Sequence, residues 1–165
     1  MPEKSILSFE QLSTIANSLN KASDELTRVV SVLDEALQRL NVGLVVWVLV
    51  VKWHDENGLA YESEEVGYAK VNGIWGIAIR KMFGSEDSPD PDEVREVWAF
   101  NDAPRELRLR AVEKLPDVVD ELAKAAIKTT ELLNKKLAET RGFAAAIGLL
   151  QPSVLQKDGT GKERK

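Results

Sequence analysis

The regular recurrence of apolar residues between positions 8 and 40 constrains the fold more than any other feature. Leucines recur every seven residues from Leu12 to Leu40. Ile15, Ala22, Val29 and Ala36 lie between successive leucines, so the apolar steps alternate between three and four residues. Such heptad spacing predicts one long helix of about 50 Å, at a rise of about 1.5 Å per residue. The leucines of this seam are seven residues apart: Leu12, Leu19, Leu26, Leu33 and Leu40.

Two interpretations of this helix remain open. Ala16, Val30 and Leu37 widen the apolar stripe, which is typical of a helix that covers a core. A sustained seam is typical of a coiled coil. We expect the five seam leucines to contribute to oligomerisation, as a homodimer or a larger assembly.

From residue 42 the apolar period changes to two. The stretch "VGLVVWVLVVKW", 42 to 53, is apolar on both alternating faces and rich in β-branched and aromatic residues, which predicts a strand covered on both sides. Asn57-Gly58 and Asn72-Gly73 are signals for tight turns. They predict a second strand over 59–71 and a third over 74–82, and "EVWAF", 96–100, predicts a fourth.

The hairpin around Asn72-Gly73 has two unequal faces. Small side chains on one face permit close approach, so we expect a long helix to cross that face and the bulky face to meet the C-terminal helices or another subunit. A ligand on the small-residue face is the alternative. Cross-strand pairing assigns Val66, Tyr68, Lys70, Trp75, Ile77 and Ile79 to the bulky face, and Gly67, Ala69, Val71, Ile74, Gly76 and Ala78 to the small-residue face.

The C-terminal third predicts helices. Asn101 and Asp102 are good N-cap residues, Pro104 suits a first turn, and Pro116 ends or kinks the helix. A second amphipathic stretch follows. The fold class is therefore α+β: a long N-terminal heptad-like helix (8–40), an antiparallel meander of three to four strands (42–100) and C-terminal helices (102–150). We expect one domain over 1–150 and a disordered tail over 151–165.

Composition excludes several classes of function. A net charge of -5 argues against nonspecific nucleic-acid binding. With no cysteine and one histidine, disulfides, thiolate–metal sites and multi-histidine metal sites are excluded. No signal peptide, membrane-length apolar run or familiar nucleotide-binding or hydrolase motif is present. We expect a cytoplasmic protein with no membrane association, no metal and no cofactor.

Arg105 and Arg108 are the first candidates for a binding site. They lie three residues apart on one helix side, and Arg105 falls in the first turn, where a cation needs an anionic partner. That partner is either Asp102 or the acidic stretch 86–93, or an external phosphate or carboxylate. Arg110 is a poorer candidate, because Glu106 can pair with it. The other candidate ligand- or partner-binding residues are Trp98, Tyr68, Trp75 and Lys70.

Two segments, "GYAKVNGIWGIAIR" and "VWAFNDAPRELRLRAVEKLPDVVDEL", resemble a group of small bacterial and phage-type proteins. That group has a leading heptad-like helix, a "GYAK…WG.AIR" hairpin and an "APR.LR..A…LP" helix. The resemblance covers roughly residues 20 to 125. It implies this order of elements, but no activity and no catalytic residue.

Three functions follow as hypotheses. The first is a non-enzymatic, oligomeric interaction or inhibitor protein that binds a host protein, with an anti-defence or regulatory role in phage–host conflict. The second is a sponge or sensor for a small anionic, nucleotide-like ligand. The third is a small hydrolase-type enzyme whose acid–base groups come from His54, Asp87, Asp90 or Asp92; no paired carboxylate or nucleophile supports it.

Overall fold

The structure, a computed structural model, describes residues 8–149 of the chain. The arrangement is α+β, as predicted, and the tail predicted over 151–165 lies outside the described residues. Short 3-10 turns, Phe100–Asp102 and Val112–Lys114, lie before and after the helix Arg105–Ala111. The elements are α1 (Phe9–Leu40), β1 (Val46–His54), β2 (Ala60–Val71), β3 (Ile74–Ser85), β4 (Glu93–Ala99), α2 (Arg105–Ala111) and α3 (Leu115–Ala146).

Contacts divide the chain into two compact units, Met1–Lys124 and Ala125–Lys165, where the sequence predicted one domain over 1–150. The sheet, α1 and α2 all belong to the first unit. The described part of the second unit is helical up to Ala146. Several of its apolar side chains are exposed: Ile127, Leu132, Leu133, Leu137 and Phe143. No helix within residues 8–149 is long and apolar enough to cross a membrane.

Local signals set both ends of α1. The Ser8 hydroxyl accepts a hydrogen bond from the Gln11 N–H, and the Gln11 side chain accepts one from the Ser8 N–H, which forms a capping box. At the other end Asn41 takes a left-handed conformation, with φ of 48°, which a helix C-terminus commonly uses. The predicted helix 8–40 is thus confirmed almost to the residue.

The four strands form one antiparallel sheet in the order β1-β2-β3-β4. Asn72 and Gly73 have φ values of 50° and 85°, as the predicted tight turn requires. The register places Gly67 opposite Ala78 and Tyr68 opposite Ile77, so the two unequal hairpin faces are confirmed. The bounds of three strands differ from those predicted: β1 begins at Val46, β3 continues to Ser85, and β4 covers Glu93–Ala99. The charged start of β4 is possible because an edge strand tolerates charged residues well.

The helices of the first unit pack on the bulky face of the hairpin. The prediction that a long helix crosses the small-residue face is wrong, because the buried residues of α1 cluster with bulky-face residues instead. Burying large side chains removes more apolar area from water than burying glycine and alanine. The cluster includes Val30 and Leu37 of α1, Leu107 of α2, Val118 and Leu122 of α3, and Val66, Tyr68, Ile77 and Ile79 of the sheet.

Side chains of the sheet itself cover the centre of the small-residue face. A Cβ atom added at Gly67 would lie 2.7 Å from Cε3 of Trp47, on the neighbouring strand. The Arg80 guanidinium carbon lies 4.2 Å from the Trp47 ring centroid, and Arg80 pairs with Glu65 at 2.6 Å. At Gly67 the small-residue face therefore makes room for an indole, with Arg80 over it, and at Gly76 it makes room for the Asp34 side chain of α1.

The start of α2 differs from the prediction. Its N-cap is Pro104, with no side-chain cap, and Asn101 and Asp102 lie in the preceding 3-10 turn. The Asn101 Nδ2 atom donates to the Ser31 hydroxyl of α1 at 2.9 Å. Asn101 therefore ties this turn to α1 instead of capping α2.

Candidate functional site

The five heptad leucines lie in different surroundings along α1. Two of them, Leu26 and Leu33, are half-buried and pack against the core. The α1 residues buried most deeply are Val30 and Leu37, so α1 packs through a line beside the leucine seam. The remaining seam leucines are exposed: Leu12, Leu19 and Leu40.

A groove lies between α1 and α2, and both candidate arginines line it. We call it the arginine groove. The arginine side chains supply positive charge, and leucines supply apolar walls. Its lining residues are Leu19, Ala22, Ser23 and Leu26 of α1 and Arg105, Arg108 and Leu109 of α2.

Both arginines donate hydrogen bonds to uncharged side chains of α1. Arg105 Nη2 lies 3.1 Å from the Asn20 Oδ1 atom. Arg108 donates to the Thr27 hydroxyl at 2.9 Å and to the Ser23 hydroxyl at 3.4 Å. The Arg108 Nε atom is buried and has no hydrogen-bond partner in the described chain. These contacts fix α2 against α1 but bring no negative charge to either guanidinium.

The partners expected within the chain are therefore wrong. Neither Asp102 nor the acidic stretch forms an ion pair with Arg105 or Arg108 among residues 8–149. Arg110 pairs with Glu64 of β2 at 2.9 Å through both guanidinium branches, not with Glu106. The Glu64 side chain is buried, and its hydrogen bond raises the pKa of Arg110. The partner of Arg110 is therefore Glu64 rather than Glu106, and Arg110 does not line the arginine groove.

The aromatic candidates lie elsewhere. Tyr68 is fully buried in the core and stacks on Trp75, with ring centroids 5.7 Å apart. Trp98 is half-buried against the same core. Lys70 is exposed at the hairpin end. The structure thus joins Arg105 and Arg108 in one groove and places the aromatic rings in the packing of the fold.

A second polar cluster lies where β3 leads into β4. Glu86 pairs with Lys52 at 2.6 Å and lies 3.2 Å from the His54 Nε2 atom. Both contacts lower the pKa of Glu86, the Lys52 hydrogen bond most. The Tyr61 hydroxyl donates to Asp92 at 2.7 Å, and this bond raises the pKa of Tyr61 to about 12. Lys52 belongs to β1 and Tyr61 to β2, so these contacts join the loop between β3 and β4 to the sheet.

No group of three or more His, Cys, Asp or Glu side chains in the described part of the chain is arranged to hold a metal ion. The acidic stretch 86–93 is held near both ends, at Glu86 by Lys52 and at Asp92 by Tyr61.

Sequence reasoning missed the side chains that hold the arginines, Asn20, Ser23 and Thr27. One signal was available: Ser23, Thr27 and Ser31 are spaced by four residues. A helix repeats about every 3.6 residues, so these hydroxyls form a line along the packed side of α1. Polar groups on such a line need partners from the facing element, and here the partners are Arg108 and Asn101.

A scan against models of protein families and searches of curated proteins and of solved structures find no match to this chain. The resemblance carried by the hairpin and helix motifs stays a prediction.

Proposed function

We propose that this protein is a non-enzymatic interaction protein that associates with a second copy of itself through the N-terminal half of α1, residues 9–22. The observation that carries the proposal is an apolar helix face that continues past the end of the core. Phe9, Leu12, Ile15 and Leu19 are 84%, 54%, 51% and 49% exposed.

This exposed face is a continuation of the packed one. Leu12 and Leu19 precede Leu26 by two heptads and one heptad, so all three lie on the same side of the helix. Leu26 packs against the core, whereas Leu19 lies at the arginine groove and keeps about half of its surface exposed, and Leu12 is exposed. Contiguous exposed apolar surface of this kind marks interaction sites.

The surroundings of the face favour an identical partner. Residues 11 to 20, "QLSTIANSLN", contain no charged side chain, although 30% of the chain is charged. In a two-fold pair of identical helices, residues near the axis meet their own equivalents. A charge there would face the same charge, and an uncharged stretch avoids that repulsion.

Size-exclusion chromatography with light scattering tests the proposal. We expect the wild type to be a dimer or larger at micromolar concentration, and Leu12→Asp and Leu19→Asp to be monomers with an unchanged circular dichroism spectrum. The matched control is Val32→Asp: Val32 is 65% exposed but lies on the other side of α1, so this variant should assemble normally. A monomeric wild type would end the proposal, as would equal behaviour of all three variants.

A small anionic ligand is the second candidate function. It is supported by the two groove arginines, Arg105 and Arg108, which lack a carboxylate partner among the described residues. Mass spectrometry of small molecules released from the purified protein tests it directly. A reproducible anion released from the wild type and absent from Arg105→Ala would favour this function. Its absence from both preparations would leave protein binding as the better account.

The proposed biological setting is inhibition or regulation in phage–host conflict, with a host protein as partner. Its support is the resemblance carried by "GYAKVNGIWGIAIR" and the following helix motif.

A further inference from the structure

Five of the eight arginines within residues 8–149 have a carboxylate partner; the two in the arginine groove and the exposed Arg141 do not. Arg105 and Arg108 contact only an amide and two hydroxyls. The Arg108 Nε atom is buried without a partner. Arg105 is exposed, but Arg108 is half-buried, and a partly buried cation without a counter-charge is unfavourable unless something else supplies the charge. The paired arginines are Arg28, Arg39, Arg80, Arg95 and Arg110.

The loop between β3 and β4, residues 86–92, carries the complementary charge. Its two ends are fixed: Glu86 is held by Lys52, and its N–H donates to the Leu59 carbonyl at 2.8 Å. Asp92 is held by Tyr61. Between these anchors Asp87 and Asp90 form no ion pair with any described residue; Asp90 interacts only with Ser88.

The middle of the loop also complements the groove in charge and in apolar character. It reads Ser88-Pro89-Asp90-Pro91, so proline rings alternate with a carboxylate. Proline restricts the backbone, which lowers the entropy lost when a segment binds. The groove offers the reciprocal pattern, leucine walls around two guanidiniums. Arginine binds carboxylates with good geometry in such a setting.

We infer that the acidic loop of one copy occupies the arginine groove of a second copy, with Asp90 as the counter-charge for Arg105 and Asp87 as the counter-charge for Arg108. This inference rests on the proposed self-association and adds a second, charged contact to the apolar one made by α1. A second copy is favoured over a foreign acidic protein because one chain carries both halves of the contact, each unpaired within residues 8–149.

A charge-swap experiment tests it. Arg105→Glu and Asp90→Lys each place like charges across the contact, so each variant alone should associate about tenfold more weakly than the wild type. In a mixed dimer the introduced glutamate of one copy faces the introduced lysine of the other, and the second contact is the native Arg105–Asp90 pair. Both contacts then join opposite charges, so association should recover on mixing. Association is measured by analytical ultracentrifugation, with circular dichroism as the check on folding. Arg28→Glu, an exposed arginine on α1, is the matched control for the change in net charge.

Recovery in the mixture, together with a normal Arg28→Glu, supports the inference. Equal association of Arg105→Glu and Arg28→Glu, or no recovery on mixing, overturns it. Stabilisation of the wild type but not of Arg105→Glu by inorganic phosphate, with association unchanged in both, overturns it in favour of a small-anion site. If Leu12→Asp dissociates the protein while the charge variants do not, the proposed function stands and this inference alone fails.

Discussion

The two halves of α1 carry the same apolar spacing but lie in different surroundings. In the C-terminal half, Val30 and Leu37 are 2% and 6% exposed, whereas Leu12 in the N-terminal half is 54% exposed. Their apolar residues share one side of a continuous helix. The difference comes from what lies opposite that side: the bulky hairpin face and α2 cover the second half, whereas in the first half α2 reaches only the last residues, from Leu19 to Ala22.

The comparison teaches that heptad spacing defines a helix face but not the partner of that face. Polar residues distinguish the halves better. In the packed half, Thr27 accepts from Arg108 and Asp34 accepts from the Ile77 N–H. In the exposed half, the Ser8, Gln11 and Thr14 side chains bond only within the helix or its cap, and the first long-range polar contact is at Asn20, which accepts from Arg105 of α2. Long-range polar contacts therefore mark the part of the helix that the fold itself uses.

The largest expected effect separates the two halves directly. Leu37→Ala removes a buried side chain and should reduce the free energy of unfolding by about 2–5 kcal/mol. Leu12→Ala, made at an exposed site, should change it by less than about 0.5 kcal/mol. Urea unfolding at the lowest workable protein concentration, where association contributes least, gives both values. Similar losses for the two variants would mean that the halves are not energetically different.

A smaller effect concerns the edge of β3, which the packed half of α1 covers. Strand β4 pairs with β3 only as far as Ala78. At the neighbouring residue Ile77, the N–H donates to the Asp34 carboxylate of α1 at 2.8 Å. A Cβ atom added at Gly76 would lie 2.9 Å from the Asp34 Oδ2 atom. Gly76→Ala should therefore displace the carboxylate and lose about 1 kcal/mol of stability.

A double-mutant cycle gives this prediction its control. In an Asp34→Ala background the obstacle is gone, so Gly76→Ala should cost nothing and can stabilise the protein, because alanine has less backbone freedom in the unfolded chain. Additive losses would show that the two residues do not interact. Gly76→Val, with a larger side chain, should be worse than Gly76→Ala in the wild-type background.

Much of the architecture could be predicted because its signals are local. Gly58, Asn72 and Gly73 have positive φ, and the Asn-Gly dipeptides predicted those turns. Ser8 and Gln11 cap α1 within three residues of each other. Such signals require only neighbours in sequence, so the order of helix, meander and helices followed from them.

The side-chain partners could not be predicted because they depend on distant register. Arg110 meets Glu64, 46 residues away, only after β1, β2 and β3 have paired and α2 has crossed them. An irregularity in β1 between Leu49 and Val51 shifts that pairing, and no sequence signal located it. Likewise, covering of the small-residue face by Trp47 depends on its position opposite Gly67 in the β1–β2 register.

The smallest expected effect is a pH dependence at Asp34, in the packed half of α1. Burial raises the pKa of Asp34 above its ordinary value, and the Ile77 N–H only partly offsets this. A carboxyl with a raised pKa in the folded state adds stability below its unfolded pKa, and that contribution is lost as the pH rises through the folded value.

Asp34→Asn keeps an oxygen that can accept from Ile77 but carries no charge. The variant should match the wild type in unfolding free energy at acidic pH and exceed it slightly at neutral pH. Urea unfolding at both pH values measures the difference; a variant less stable than the wild type at neutral pH would show that the charge at this sheet edge is favourable.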